Sequence, residues 1–167
     1  MGFTRRKLSA TEEGEQRMEK IGFIGMGNMG YALMKGLLGQ FSYRDLIFSC
    51  RTENKKEKIT SETKVRPAGS NAELANRSKF IILAVKPQVY DEVFAEIKDH
   101  VNEKNIIISL APGKSISHIR EKLGESVRVV RAMPNTPALI GCGMTGVAYD
   151  ENDFSEEEIG VIERLFS

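Results

Sequence analysis

Phe80 to Val85 reads FIILAV, six residues with no polar side chain at odd or even positions. A strand that shows one face to water alternates apolar and polar side chains, whereas a strand covered on both faces does not. The run therefore predicts a central parallel strand with helices above and below it. Pro87 cannot donate a ladder hydrogen bond, so the strand ends near it. Similar short runs occur at Ile21–Gly25 (IGFIG), Leu46–Cys50 (LIFSC), Ile106–Leu110 (IIISL) and Val127–Arg131 (VRVVR).

Between these runs the period changes from that of a strand to that of a helix. Met29, Ala32, Leu33, Gly36 and Leu37 share one face of a helix predicted over Asn28–Leu38. A polar helix is expected at Glu53–Ile59, and Val65 marks a short third strand. Asn71 is the candidate N-cap of a helix through Ala72–Asn76. Val89, Val93, Ile97 and Val101 recur every fourth residue. Another helix is expected at Ser115–Leu123, with Ile116, Ile119 and Leu123 inward, and Met144–Tyr149 is read as a seventh strand. Strands alternating with helices imply an α/β fold of Rossmann type, a doubly wound and mostly parallel sheet. Ser155 and Glu158 form a capping box. The helix they open carries Ile159, Ile162 and Phe166 on an apolar face, which is expected to be exposed unless it folds back on the sheet. That pattern is still running at Ser167. We expect residues 1–17 to be a flexible extension or tag and 18–167 to form one dinucleotide-binding domain.

Gly25, Gly27 and Gly30 spell G-x-G-x-x-G. The motif is weak alone, but here it follows a predicted strand and opens a predicted helix, the context that it requires. The first glycine allows the tight turn, the second lets the backbone approach a pyrophosphate, and the third lets the helix pack closely on the strand. The helix N-terminus adds free N–H groups and a positive dipole end. Gly25, Met26, Gly27, Asn28, Met29 and Gly30 are thus the candidate pyrophosphate site. The end of the second strand discriminates between dinucleotides. An NAD site places an acidic residue there for the ribose 2′-hydroxyl. Here Cys50-Arg51 occupies that place, with Lys55 and Lys56 close behind. A guanidinium pairs well with a 2′-phosphate, so NADP(H) is expected in preference to NAD(H).

Basic and acidic residues number 24 and 23, a net charge of +1, which gives no excess to attract nucleic acid or a membrane surface. No apolar run approaches the ~20 residues of a membrane helix. Cys50 and Cys142 make neither a zinc spacing nor a disulfide framework, and a reducing cytoplasm is the simplest setting. His100 and His118 lie far apart, read as ordinary helix-surface residues, and show no metal-ligand spacing, so no metal is expected.

Four segments narrow the reading further: IGFIGMGNMG (Ile21–Gly30), LAVKPQ (Leu83–Gln88), SLAPG (Ser109–Gly113) and RVVRAMPNTPA (Arg128–Ala138). In this order the chain resembles the pyrroline-5-carboxylate reductase family over about residues 19 to 167. SLAPG departs from the family's usual two-alanine form at Pro112. Ala84, Val85, Lys86 and Pro87 end one strand, and Ala111 lies past another, where ligands of open α/β sheets bind. The resemblance puts Asn71, Ala84, Lys86 and Ala111 near the cofactor and Met133, Asn135, Thr136 and Pro137 around the nicotinamide. It implies hydride transfer from NAD(P)H to the C=N carbon of 1-pyrroline-5-carboxylate, giving L-proline, and a homo-oligomer for the complete family member. The family's Ser-Gly-Ser-Gly-Pro-Ala type signature of a helical substrate domain occurs nowhere here. The expectation is therefore the cofactor-binding part of such an enzyme, with no catalytic acid identified. The alternatives are a non-catalytic dinucleotide-binding regulatory module and a β-hydroxyacid dehydrogenase relative. AVKPQ and MPNTP argue against the latter.

Overall fold

The computed structural model describes residues 21–135 and 144–167. The expectations for residues 1–17, Thr136, Pro137 and Cys142 lie outside the described residues. Thirteen principal elements follow one another: β1 (Ile21–Ile24), α1 (Asn28–Leu37), β2 (Leu46–Ser49), α2 (Glu53–Thr63), β3 (Arg66–Pro67), α3 (Asn71–Arg77), β4 (Phe80–Leu83), α4 (Tyr90–Ile97), β5 (Ile106–Ser109), α5 (Ile116–Leu123), β6 (Arg128–Pro134), β7 (Thr145–Ala148) and α6 (Glu156–Leu165). The strands form one sheet in the order β3-β2-β1-β4-β5-β6-β7. All neighbours pair in parallel except β6 and β7, which pair antiparallel. This is the doubly wound, mostly parallel Rossmann-type sheet that the alternation of runs predicts.

Every residue of β1, β2, β4 and β5 is buried. Side chains alternate between two apolar layers, as the two-residue period of a strand requires. Phe23, Phe48, Ile82 and Ile108 face α1, α2 and α6 through Met34, Leu37, Ile59, Ile162 and Leu165. Ile24, Ile47, Ile81, Leu83 and Ile107 face α3, α4 and α5 through Leu74, Ala75, Val93, Phe94, Ile97, Ile119 and Leu123. Each large apolar side chain so covered contributes about 1.5–3 kcal/mol.

Two local expectations need correction, and the alternative left for the last helix is resolved. The buried face of α1 is Gly30, Met34 and Leu37, with Gly36 exposed. The close approach at Gly30 turns the helix away from the face that periodicity alone suggested. Ser70, not Asn71, caps α3, accepting a hydrogen bond from the Glu73 N–H at 3.0 Å. Asn71 is the first helical residue, and its side chain is engaged elsewhere. Finally, Ile162 and Leu165 are buried, and Ile159 and Phe166 pack against the same layer. The face of α6 thus folds back on the sheet and is not left open.

The capping box at Ser155 is present, and it has a second role. Glu158 reaches from the cap to Lys79 at the foot of β4 (2.8 Å) and to Arg128 at the foot of β6 (2.7 Å). Burial alone would raise its carboxyl pKa. Lys79, the Ser155 N–H and Arg128 outweigh burial and hold the pKa down, to about 2. A depressed carboxylate pKa contributes stability that is complete above its ordinary value of 4.5 and is lost as pH falls toward about 2. Glu158→Gln is expected to cost about 3 kcal/mol at neutral pH, because it strands two cations around a neutral amide. Urea unfolding across a pH series checks this: the gap between the parent chain and the variant must close on acidification through that window.

Candidate functional site

A cleft of about 680 Å³ opens beyond the carboxyl ends of β1, β2 and β4. This is where strand order reverses, with β2 on one side of β1 and β4 on the other. Such a switch point is the usual ligand crevice of an open α/β sheet. Gly25, Met26 and Gly27 enter it from β1, Cys50 and Arg51 from β2, Asn71 from the start of α3, and Ala84, Val85 and Lys86 from β4. Residues far apart in the sequence are thus brought together in one cleft. Asn28, Met29 and Gly30 form the first turn of α1 beside the cleft, and Pro87 starts the one-turn helix after β4. Ala111, Met133 and Asn135 lie past the ends of β5 and along the end of β6, outside the lining of this cleft.

The three glycines divide their roles in space. Gly25 has φ +94°, and a Cβ there would stand 2.5 Å from Val85 Cγ1. A Cβ on Gly30 would meet the Gly25 carbonyl oxygen at 2.3 Å and Ala84 Cβ at 2.9 Å. One on Gly27 would meet nothing within 4 Å. Gly25 and Gly30 are therefore required by packing, whereas Gly27 borders open space. Gly27 also stands at the N-cap of α1, which has no side-chain cap and no acid in its first turn. Open space in front of an uncapped helix N-terminus suits an anionic group.

The end of β2 supplies the charged wall. Arg51 is exposed and paired with Glu92 of α4 at 2.6 Å, and Lys56 is paired with Glu53 at 3.1 Å. Lys55 and Lys56 line the cleft with Arg51. The Cys50 thiol is partly buried, which pushes its pKa up, so it is a neutral thiol and not a nucleophile. On the floor, the Ser49 hydroxyl donates to Asn71 Oδ1, and Asn71 Nδ2 donates to Glu96. Ser49, Glu92 and Glu96 escaped the sequence reading. The usable signal was the four-residue spacing of Glu92 and Glu96, which puts both carboxylates on one side of α4 beside Val89 and Val93.

Tyr90 organises the next stretch of the rim. Its buried hydroxyl donates to the Leu83 carbonyl (3.2 Å), lies 2.9 Å from Ser109 Oγ, and accepts from the Ala111 N–H (3.3 Å). It thereby ties the end of β4 to the loop after β5. Burial is the main reason its phenol pKa is raised. The pairing of β5 with β6 ends at Ser109–Arg131, but β7 carries β6 on to Pro134. Met133, 56% exposed and opposite Gly146 of β7, thus lies beyond the end of β5. Asn135 and Met144 close this hairpin end: the Asn135 N–H donates to the Met144 carbonyl (3.2 Å), and the Met144 N–H to Asn135 Oδ1 (3.1 Å). Among the described residues, no group of three or more His, Cys, Asp or Glu could hold a metal, and no helix is long and apolar enough to cross a membrane.

Known proteins share this arrangement. Residues 20–113 match the family model described as NADP oxidoreductase coenzyme F420-dependent. The pyrroline-5-carboxylate reductase of Escherichia coli (strain K12) is 36% identical over 131 residues, covering 77% of this chain and 49% of that protein. The structure of a pyrroline-5-carboxylate reductase from Coxiella burnetii superposes with a TM-score of 0.81 at 30% identity, covering 89% of this chain and 55% of that one. A Plasmodium falciparum pyrroline carboxylate reductase with NADP bound superposes with a TM-score of 0.76 at 28% identity, covering 90% and 55%. The chain spans about half the length of the curated relatives it matches. The resemblance to the N-terminal NADP-binding domain of these reductases, read from four motifs, therefore extends through the fold.

The geometry separates the two outer glycines from the middle one. Gly30→Ala is expected to destabilise the fold by about 1–3 kcal/mol through overpacking. Gly27→Ala should stay within about 0.5 kcal/mol of the parent chain, since its Cβ enters open space. Urea unfolding of the two variants side by side checks the contrast.

Proposed function

Because the chain belongs to the NADP oxidoreductase coenzyme F420-dependent family, we propose that it binds NADP(H) in the β1–β2–β4 cleft as the cofactor-binding part of a pyrroline-5-carboxylate reductase. The observation that carries the reading is the cradle at Gly27, open space before an uncapped helix N-terminus. The groups present fit a dinucleotide phosphate. The N–H groups at the start of α1 stabilise the pyrophosphate charge. Arg51, Lys55 and Lys56 offer positive charge to a 2′-phosphate, and the residue directly after Cys50 is Arg51, not the acid that would favour a free 2′-hydroxyl.

When bound, the dihydronicotinamide would supply a hydride to the carbon of a C=N bond, here that of 1-pyrroline-5-carboxylate, which with a proton on the ring nitrogen gives L-proline and the oxidised cofactor. The chain's own residues bind and orient. Tyr90 fixes the loop carrying Ala111, and the β6–β7 hairpin fixes Met133 and Asn135 at the rim. With Thr136 and Pro137, these residues are proposed to flank the nicotinamide. Met133 gives that wall an apolar surface that sheds water, and Asn135 spends its side-chain oxygen on the hairpin. A homo-oligomer and a cytoplasmic setting complete the proposal.

Two substitutions test it. NADPH should bind the 167-residue chain more tightly than NADH, and Arg51→Asp should reduce that preference by about tenfold, the worth of a hydrogen-bonded charge pair. Gly27→Val should abolish binding of both cofactors while leaving the thermal midpoint nearly unchanged. Titration of cofactor fluorescence reads each result. Equal affinities in the parent chain contradict the 2′-phosphate assignment, and unimpaired binding by Gly27→Val contradicts the cradle.

A further inference from the structure

We propose that Glu92 is a positioning residue that sets cofactor specificity: its carboxylate holds the Arg51 guanidinium and competes with a phosphate on the ribose 2′ position. The inference rests on the reading of the cleft as an NADP(H) site. It concerns a residue that comes from α4, outside the glycine motif and outside the β2 loop that carries Arg51.

Arg51 Nη2 and Glu92 Oε2 are 2.6 Å apart, with the two side chains 69% and 57% exposed. Arg51 lines the cleft, and the pair ties the end of β2 to α4. A second cation of the same wall is also engaged, since Lys56 is held by Glu53 at 3.1 Å. Lys55 lines the cleft and makes no ion pair among the described residues. Glu96, one turn beyond Glu92, is taken by Asn71. Of the three α4 carboxylates, Asp91, Glu92 and Glu96, Glu92 is the one paired with the arginine expected to read the 2′ substituent.

The electrostatic sign is definite. A 2′-phosphate approaching Arg51 meets a negative charge already seated on one edge of the guanidinium. It must displace Glu92 or bind beside it against repulsion. NADH carries a hydroxyl at that position and is nearly indifferent to Glu92. The carboxylate thus lowers affinity for NADPH selectively. An exposed ion pair holds its partners only weakly, so the clasp is readily opened and works as a moderator, not a block. A carboxylate that merely pre-oriented the guanidinium would instead raise NADPH affinity. The two designs predict opposite signs for the same substitution.

The test uses the 167-residue chain and Glu92→Gln, Arg51→Gln and the double substitution, each checked by thermal melting. NADPH and NADH are titrated by fluorescence at low ionic strength. Glu92→Gln is expected to tighten NADPH by roughly three- to fivefold, the upper range for an exposed pair, and to change NADH by less than about twofold. In the Arg51→Gln background the gain should shrink by more than half, because Glu92 acts through Arg51. Added salt should narrow the difference between parent and variant. An equal gain for both cofactors, no gain, or weaker NADPH binding overturns the inference while leaving the cofactor site standing. Failure of the parent chain to bind either cofactor overturns the site and the inference together.

Discussion

The fold turns on one contact, the packing of α1 onto the turn that leaves β1. Gly30 lies against the Gly25 carbonyl and Ala84 at distances no side chain could share. That approach sets the rotation of α1, which decides that Met34 and Leu37 enter the core. It also brings the helix start to the carboxyl end of β1 and beside β4. If the helix stood farther off, the floor of the cleft would lose its shape and one apolar layer would lose its cover. Packing and binding are thus two results of the same short stretch of backbone.

Charge does at the periphery what glycine does at the centre. At the foot of the sheet Glu158 gathers Lys79 and Arg128, so the capping residue of the last helix also braces β4 and β6. At the opposite end carboxylates from α2 and α4 occupy cations of the β2 wall. The first cluster is centred on the buried Glu158 carboxylate, and it serves the fold. The second is exposed and exchangeable, as a site that must admit an anion requires.

Much of this was legible in the sequence because the strands are buried on both faces. FIILAV, LIFSC and IIISL are hard to place anywhere but in a covered parallel sheet, and the glycine spacing lies between a strand and a helix. Legibility failed where side chains act across distance. Nothing local reveals that Tyr90 joins two strands and the loop after β5, or that Glu92 reaches Arg51. The helix face of α1 was misjudged because periodicity is blind to a close approach by glycine. The cap of α3 was misplaced by one residue because Ser70 and Asn71 are both good caps, and only the demand for Asn71 by Ser49 and Glu96 separates them.

The placement of α6 has a consequence for how such a chain matures during synthesis. The sheet grows outward from β1 toward β7, yet Ile162 and Leu165 return to cover the layer that holds Ile21, Phe23, Phe80 and Ile82. The opposite layer can close as soon as α5 and β6 have emerged from the ribosome, because it needs only α3, α4 and α5. The α6 layer stays partly bare until residue 165 is free. One side of the sheet therefore acquires its cover well before the other, and the nascent domain is most prone to aggregation on its α6 side in that interval.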